Sequence, residues 1–158
     1  MRKSILVLLA LSLCAGVAVA GEGGAWFDLV NCGMCKNLSA TPGMLDAMTW
    51  NHYVIDEGMM TVAVVPEQYE EAWHKAKEAM HATGQKMMAG EEMQLCGYCT
   101  SFGQILQTGK ANMEVVETLA GEVTLVTSGD EATIAMIQEH AKRSMAEMEK
   151  MAAMHESR

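Results

Sequence analysis

The chain presents the same succession of signals twice, and this recurrence constrains its fold more than any other feature of the sequence. A Cys-Gly-X-Cys motif stands at 32–35 and again at 96–99. A short helical stretch follows each motif, and two β-rich runs around a glycine come next, over 51–65 in the first half and 113–127 in the second. Because motif, turn and following helix recur in the same order, we predict an internally duplicated unit.

The β-rich runs on either side of Gly58 and Gly121 are typical of hairpins. A two-stranded hairpin is only marginally stable alone, so we expect the two hairpins to join in one sheet. Apolar residues at helical spacing follow each hairpin and predict long helices over 66–83 and 129–152. The predicted fold is therefore α+β, with one roughly four-stranded antiparallel sheet and helices packed on it.

Helix start and stop signals divide the chain further. Ser128 followed by Glu131 predicts a capping box, with Ser128 as the N-cap of the second long helix. Gly84 and Gly90 predict the end of the first long helix and a link to the second half. We expect a first repeat over 21–83, a linker over 84–93, and a second repeat with an extended Met-rich C-terminal helix over 94–158.

Residues 1–20 have the three parts of a secretory signal peptide. A basic start precedes an apolar run over 5–13, and a small-residue exit ends at Ala20. We therefore predict an exported protein, periplasmic or secreted. The alternative is a lipoprotein anchored through Cys14, although Leu13 before it is larger than lipoprotein signals prefer.

Charge and motif content exclude several classes of function. Without residues 1–20, nine Lys and Arg face 20 Asp and Glu, a formal charge of −11. Such an acidic surface repels phosphate backbones, so we expect no nucleic-acid partner. No later apolar run reaches the about 20 residues that a membrane span needs. The sequence also contains no recognisable catalytic triad or Gly-rich phosphate loop, so we do not expect an enzyme.

Four cysteines lie outside the predicted signal peptide, and they form the two motifs. Cys32, Cys35, Cys96 and Cys99 are two Cys-x2-Cys pairs, from which tetrahedral four-thiolate metal sites are commonly built. Zinc and copper(I) both accept thiolate ligands, and the 16 methionines of the chain favour copper(I) because thioethers are soft ligands. We therefore predict a metal-binding protein that holds zinc or copper(I) through these four thiols.

Two other chemistries stay open for the same thiols. CGxC resembles the CGPC motif of thioredoxins, which implies disulfide exchange, and the resemblance covers four residues in each motif. The thioredoxin fold also needs a proline that feeds a strand, whereas Pro42 and Pro66 stand at predicted helix starts. A periplasmic dithiol–disulfide protein is one alternative. The other is a set of structural disulfides, since an even number of cysteines in an exported chain suggests pairing.

Two further groups of side chains attract attention, and each has a simpler explanation. His74, Glu78 and His81 fall on one face of the first long helix, where a solvated charged face is the simpler interpretation. Methionines recur every third residue near the C-terminus, at Met145, Met148, Met151 and Met154. Such a stripe is typical of a core or of a partner-binding face. A disulfide-stapled module that binds a protein through this helix is thus a third candidate function.

Overall fold

The computed structural model describes residues 24–156, with side chains through Met154. The strands are β1 (Thr49–Ile55), β2 (Gly58–Val64), β3 (Ala111–Thr118) and β4 (Gly121–Ser128). The α-helices are α1 (Met44–Ala47), α2 (Glu70–Met88), α3 (Gly97–Gln107) and α4 (Glu131–Glu156). Short 3-10 helices lie at Cys35–Ala40 and Glu67–Tyr69.

The four strands form one antiparallel sheet with the order β1-β2-β4-β3. Each hairpin supplies an outer and an inner strand. The inner strands pair with each other, from Gly58 opposite Thr127 to Val64 opposite Gly121. The predicted α+β fold with a four-stranded antiparallel sheet is therefore confirmed.

Both hairpins turn in two residues, and their registers correspond. Ile55 lies opposite Gly58 in the first hairpin, and Thr118 lies opposite Gly121 in the second, a shift of 63 residues at both positions. Both glycines have positive φ, 154° and 134°, and a Cβ on either would collide with a carbonyl oxygen of the adjacent inner strand. The hairpins are thus alike in geometry, whereas duplication of the whole unit stays a prediction.

Each turn also accepts a hydrogen bond from the chain that leaves the other hairpin. The N–H of Val65 donates to the carbonyl of Ala120 at 2.8 Å. The N–H of Ser128 donates to the carbonyl of Glu57 at 3.0 Å. These bonds lock the two hairpins together at both ends of the inner strand pair.

Both long helices cover the same face of the sheet. Trp73 of α2 belongs to the same buried cluster as Ala63 of β2, and Ile137 of α4 to the same cluster as Met59 of β2. Since alternate residues of a strand share a face, both clusters lie on one side of the sheet. The opposite side leaves apolar side chains exposed, among them Tyr53, Val64 and Val116.

The first long helix ends later than the sequence predicts. α2 continues through Gly84 to Met88, so half of the predicted linker over 84–93 is helical. Glycine costs only about 1 kcal/mol relative to alanine within a helix, and the favourable residues around it outweigh that loss. The chain leaves the helix at Gly90, whose φ of 90° suits a helix end.

The second long helix is capped by a different residue than predicted. Asp130 Oδ1 accepts hydrogen bonds from the N–H and the hydroxyl of Thr133, at 3.1 and 2.8 Å. Ser128 Oγ accepts instead from the N–H of Asp130, at 3.1 Å. The predicted capping box with Ser128 as the N-cap is therefore wrong, because the carboxylate next to the helix takes that role.

The predicted signal peptide, residues 1–20, and Cys14 lie outside the described residues. Within the described range, no helix is both long and apolar enough to cross a membrane. Export and lipid anchoring therefore stay predictions.

Candidate metal centre

The four cysteines of the two motifs converge in one cluster. Their Sγ atoms all lie within 4.8 Å of one another, and that of Cys35 lies 3.5 Å from Cys96 and 3.3 Å from Cys99. Sulfurs at the corners of a tetrahedron around one ion, with metal–sulfur bonds of about 2.3 Å, are about 3.8 Å apart. The cluster therefore has the dimensions of a single four-thiolate metal site.

The thiols are shielded from solvent and are not joined to one another. Cys32, Cys35 and Cys96 are buried and Cys99 is half-buried, and all four are free. The 3.3 Å between the sulfurs of Cys35 and Cys99 is well beyond the about 2.05 Å of a disulfide. The structure therefore contains the reduced cluster and not the structural disulfides of the alternative interpretation.

Backbone hydrogen bonds hold the two motifs side by side. The first motif leads into the 3-10 helix Cys35–Ala40, and the second spans the start of α3. The N–H of Gly33 donates to the carbonyl of Gln94 at 2.9 Å, and that of Tyr98 donates to the carbonyl of Trp26 at 2.9 Å. Segments far apart in sequence are thereby aligned, and their thiols come together.

The glycine of each motif permits this close approach. A Cβ on Gly33 would lie 2.7 Å from Met93 Sδ, and one on Gly97 would lie 2.9 Å from a ring carbon of Trp26. Close-packed side chains do not approach one another so closely. The recurrence of Cys-Gly-X-Cys therefore has a steric cause, since each glycine makes room for the segment that carries the other half of the site.

The clustered thiols share their protons unequally. The hydrogen bond from the Cys99 thiol, followed by those from Cys96 and Cys32, lowers the pKa of Cys35 to about 6. Burial raises the pKa of Cys96 to about 11, and the hydrogen bond to Cys35 raises the pKa of Cys99. At pH 7 the metal-free cluster thus holds Cys35 as a thiolate and Cys96 and Cys99 as thiols. An incoming metal ion would displace those protons.

Backbone amides favour negative charge on the sulfurs. The N–H of Cys35 lies 3.5 Å from Cys32 Sγ and points to it. Although burial raises the pKa of Cys96, the amides of Cys99 and Asp28 act in the opposite direction. The second motif also lies at the N-terminus of α3, where the helix dipole stabilises anions. Such surroundings suit thiolate ligands.

Apolar and sulfur-containing side chains enclose the cluster. Leu29, Met34, Leu95 and Tyr98 pack against the cysteines. Met93 lies against the first motif. Burial raises the pKa of the Tyr98 hydroxyl, so this group stays neutral at pH 7. The surroundings of the cluster are therefore largely apolar, with Met34 against the cysteines and Met93 against Gly33.

The histidines of α2 do not join a metal site. His74, Glu78 and His81 are all exposed on that helix. In the part of the chain that the structure describes, the four cysteines are the only group of three or more Cys, His, Asp or Glu side chains placed to hold an ion. The charged row on α2 is a solvated face.

The methionine stripe of α4 is half-buried in its first part and exposed toward the C-terminus. Met145 and Met148 are half-buried. Met151 is 37% exposed and Met154 is 58% exposed. A partner-binding role for this stripe stays a prediction.

Sequence spacing does not reveal two buried histidines next to the thiol cluster. His52 on β1 and His140 on α4 are each 1% exposed. His52 Nδ1 lies 2.8 Å from Thr61 Oγ1, and His140 Nδ1 lies 3.1 Å from Ser101 Oγ. Burial lowers the pKa of both imidazoles to about 4, so both are neutral at pH 7. They stand on elements of different type, and no motif connects them.

No protein-family model matches the chain, and no curated protein or solved structure matches it either.

Proposed function

We propose that this protein is an exported metal-binding protein that holds one soft metal ion between Cys32, Cys35, Cys96 and Cys99. Its role would be metal handling and not catalysis. The strongest support is the convergence of the four thiols. Two cysteine pairs with 60 residues between them lie together, with all four sulfurs within 4.8 Å of one another. Packing in a hydrophobic core alone does not require four cysteine sulfurs to lie at the spacing of a tetrahedral metal shell.

Copper(I) is the ion we favour. Met34 packs against the thiol cluster and Met93 against Gly33 of the first motif, and thioethers are soft donors that suit copper(I). Zinc bound by four thiolates would leave a net charge of −2 in a shielded site, which is costly to bury. Copper(I) is satisfied by fewer thiolates and leaves less charge. Zinc is the alternative, because four cysteines also make a complete structural zinc shell.

Metal titration of the reduced protein tests the proposal. At the thiolate site we expect one zinc ion per chain, or one copper(I) ion with thiolate charge-transfer absorption. Cys32→Ser combined with Cys96→Ser should weaken binding at this site by roughly 1000-fold or more. The reason is that structural four-ligand sites contribute about 10–16 kcal/mol in total, and two ligands would be lost.

Met148→Leu combined with Met151→Leu is the matched control. It removes two sulfurs that do not belong to the thiol cluster, so affinity at the thiolate site should change only a few-fold. Reduced and folded protein that binds neither ion at micromolar concentration would overturn the proposal.

A dithiol–disulfide protein is the second candidate, and the position of Cys35 among the other thiols favours it. The pKa of Cys35 is lowered to about 6, chiefly by its hydrogen bond with Cys99, so the thiolate needed for disulfide exchange is present at neutral pH. Its contacts at 3.3 and 3.5 Å are Cys99 and Cys96, both of the other motif. In a glutathione buffer such a protein should form a disulfide between the motifs. Peptide mapping would identify it, and a pair within one motif would contradict this geometry.

A further inference from the structure

A pair of buried imidazoles lies beside the thiol cluster and has no part in it. The rings of His52 on β1 and His140 on α4 are 6.4 Å apart, centre to centre, with their planes at 75°. Both rings contact Tyr98, whose centre lies 5.8 Å from that of His52 and 4.5 Å from that of His140. Tyr98 also packs against the cysteines. One aromatic side chain therefore separates the imidazole pair from the thiols.

In each of these histidines, one ring nitrogen has a hydrogen-bond partner and the other has none among the described residues. The hydroxyl of Thr61 holds Nδ1 of His52, and that of Ser101 holds Nδ1 of His140. Nε2 of both rings is buried and has no hydrogen-bond partner among residues 24–156. Buried polar atoms of native proteins are almost always partnered, because desolvation without a partner is unfavourable. Two such nitrogens on neighbouring rings indicate that a water molecule or an ion binds to them.

The separation of the two rings suits a metal ion. Because Nδ1 of each ring contacts a hydroxyl group, Nε2 of the same ring points away from that hydroxyl. An imidazole nitrogen lies about 1.2 Å from the ring centre, so ring centres 6.4 Å apart allow the two nitrogens to approach to about 4 Å. Two metal–nitrogen bonds of about 2.0–2.1 Å span that gap.

The number of donors selects the ion. No third Cys, His, Asp or Glu of the described chain joins the pair, so the four-ligand shell of zinc is out of reach. Copper(I) is a closed-shell ion that binds two donors in a line, and it accepts imidazole. The ring of Trp26 lies 5.5 Å from that of His140, and the ring of Trp50 lies 5.7 Å from that of His52. Aromatic rings stabilise a nearby cation.

We propose that His52 and His140 form a second copper(I) site, next to the thiolates and separated from them by Tyr98. The chain then holds two ions in chemically different sites. This site goes beyond the thiolate function and does not depend on it.

Anaerobic titration with copper(I) against a coloured chelator counts the ions. The wild-type protein should bind two per chain, of which one shows thiolate absorption. His52→Phe combined with His140→Phe should reduce the count to one and leave that absorption unchanged. Cys32→Ser combined with Cys96→Ser should keep the imidazole-bound ion. His74→Phe combined with His81→Phe alters two exposed histidines of α2, and this matched control should keep both ions.

Nitrogen NMR on the unaltered protein decides the matter even where the double histidine variant fails to fold. With silver(I) as a stand-in for copper(I), the Nε2 signals of His52 and His140 should shift as the second equivalent binds. A wild-type chain that binds only the ion with thiolate absorption, or Nε2 signals that do not move, would identify a hydrated pair and overturn the proposal. Loss of the thiolate-bound ion alone would instead remove the function proposed above and leave the imidazole site in place.

Discussion

Two glycines decide how closely the thiol pairs approach, and their neighbours differ in rigidity. Gly97 faces Trp26, whose Nε1 donates to Ser144 Oγ at 3.2 Å. The guanidinium carbon of Arg143 lies 4.4 Å from the centre of the same ring. The atom nearest to a Cβ on Gly33 is instead Met93 Sδ, which lies toward the end of a flexible side chain. The same replacement should therefore have unequal effects in the two motifs.

Gly97→Ala should lower the free energy of unfolding by about 1–3 kcal/mol and weaken metal binding, because the added methyl group overpacks a fixed tryptophan. The better helix propensity of alanine offsets at most about 1 kcal/mol of this loss. Gly33→Ala should cost less than about 1 kcal/mol, since Met93 can change rotamer. Denaturant unfolding and metal titration of both variants measure the difference. Equal losses of unfolding free energy in the two variants would contradict the view that Trp26 is held more rigidly than Met93.

The buried histidines should make the metal-free protein sensitive to acid. Both have a pKa of about 4 when folded, against 6.5 when exposed, so protonation favours the unfolded chain between these values. Their contribution to stability is complete above about pH 6.5 and is lost as the pH falls toward 4. At about 1.4 kcal/mol per pH unit, each histidine accounts for roughly 3 kcal/mol.

Denaturant unfolding at about pH 7 and about pH 4.5 measures this loss. The double Phe variant of His52 and His140 should show a much flatter pH profile, whereas His74→Gln should behave as wild type. The hydrogen bond from Lys110 lowers the pKa of Asp130 to about 2, so that carboxylate titrates below the window. A wild-type stability that does not change over this range would show that the imidazoles are not buried as neutral groups.

At the scale of elements, the hairpins could be predicted because their determinants are local. Both lie within two residues of the spans expected from β-rich runs. Each turn glycine also has a clear physical cause, since a Cβ on Gly58 or Gly121 would meet a carbonyl of the neighbouring strand. A pattern of alternation and one glycine are enough to identify such an element.

The helix ends could not be predicted equally well because they depend on competition between close alternatives. Gly84 is a weak stop signal that α2 passes, whereas Gly90 ends the helix with a positive φ. Ser128 and Asp130 could both cap α4, and Asp130 wins because its carboxylate reaches the N–H of Thr133. Sequence alone does not rank such neighbours.

The candidate site was predictable in its residues and not in its geometry. The two CGxC motifs identify all four thiols, but their convergence depends on how closely the segment before the first motif approaches the start of α3. The pair formed by His52 and His140 arises only where β1 and α4 meet. Contacts between a strand and a distant helix have no signature in sequence spacing.

At the scale of the whole molecule, a bound metal ion should stabilise the fold. The thiolate site can form only in the folded chain, because its two halves are 60 residues apart. Free metal at 100 times its dissociation constant should therefore add about 2.7 kcal/mol to the free energy of unfolding. Thermal unfolding with and without zinc, for which the imidazole pair lacks ligands, measures this gain, and the Cys32→Ser, Cys96→Ser protein should show none. An equal gain in that variant would place the stabilising ion elsewhere.

The pairing of β2 with β4 has a consequence for the order in which the chain folds. Between 57 and 69 residues separate the partners in this pair, and contacts of such long range form slowly because a large loop must close first. The same closure brings the two CGxC motifs together. During folding in an oxidising compartment, the proposed exported chain therefore presents two separate dithiols before it has one metal site. The rate of sheet formation relative to the rate of thiol oxidation then determines what fraction of the molecules can bind metal.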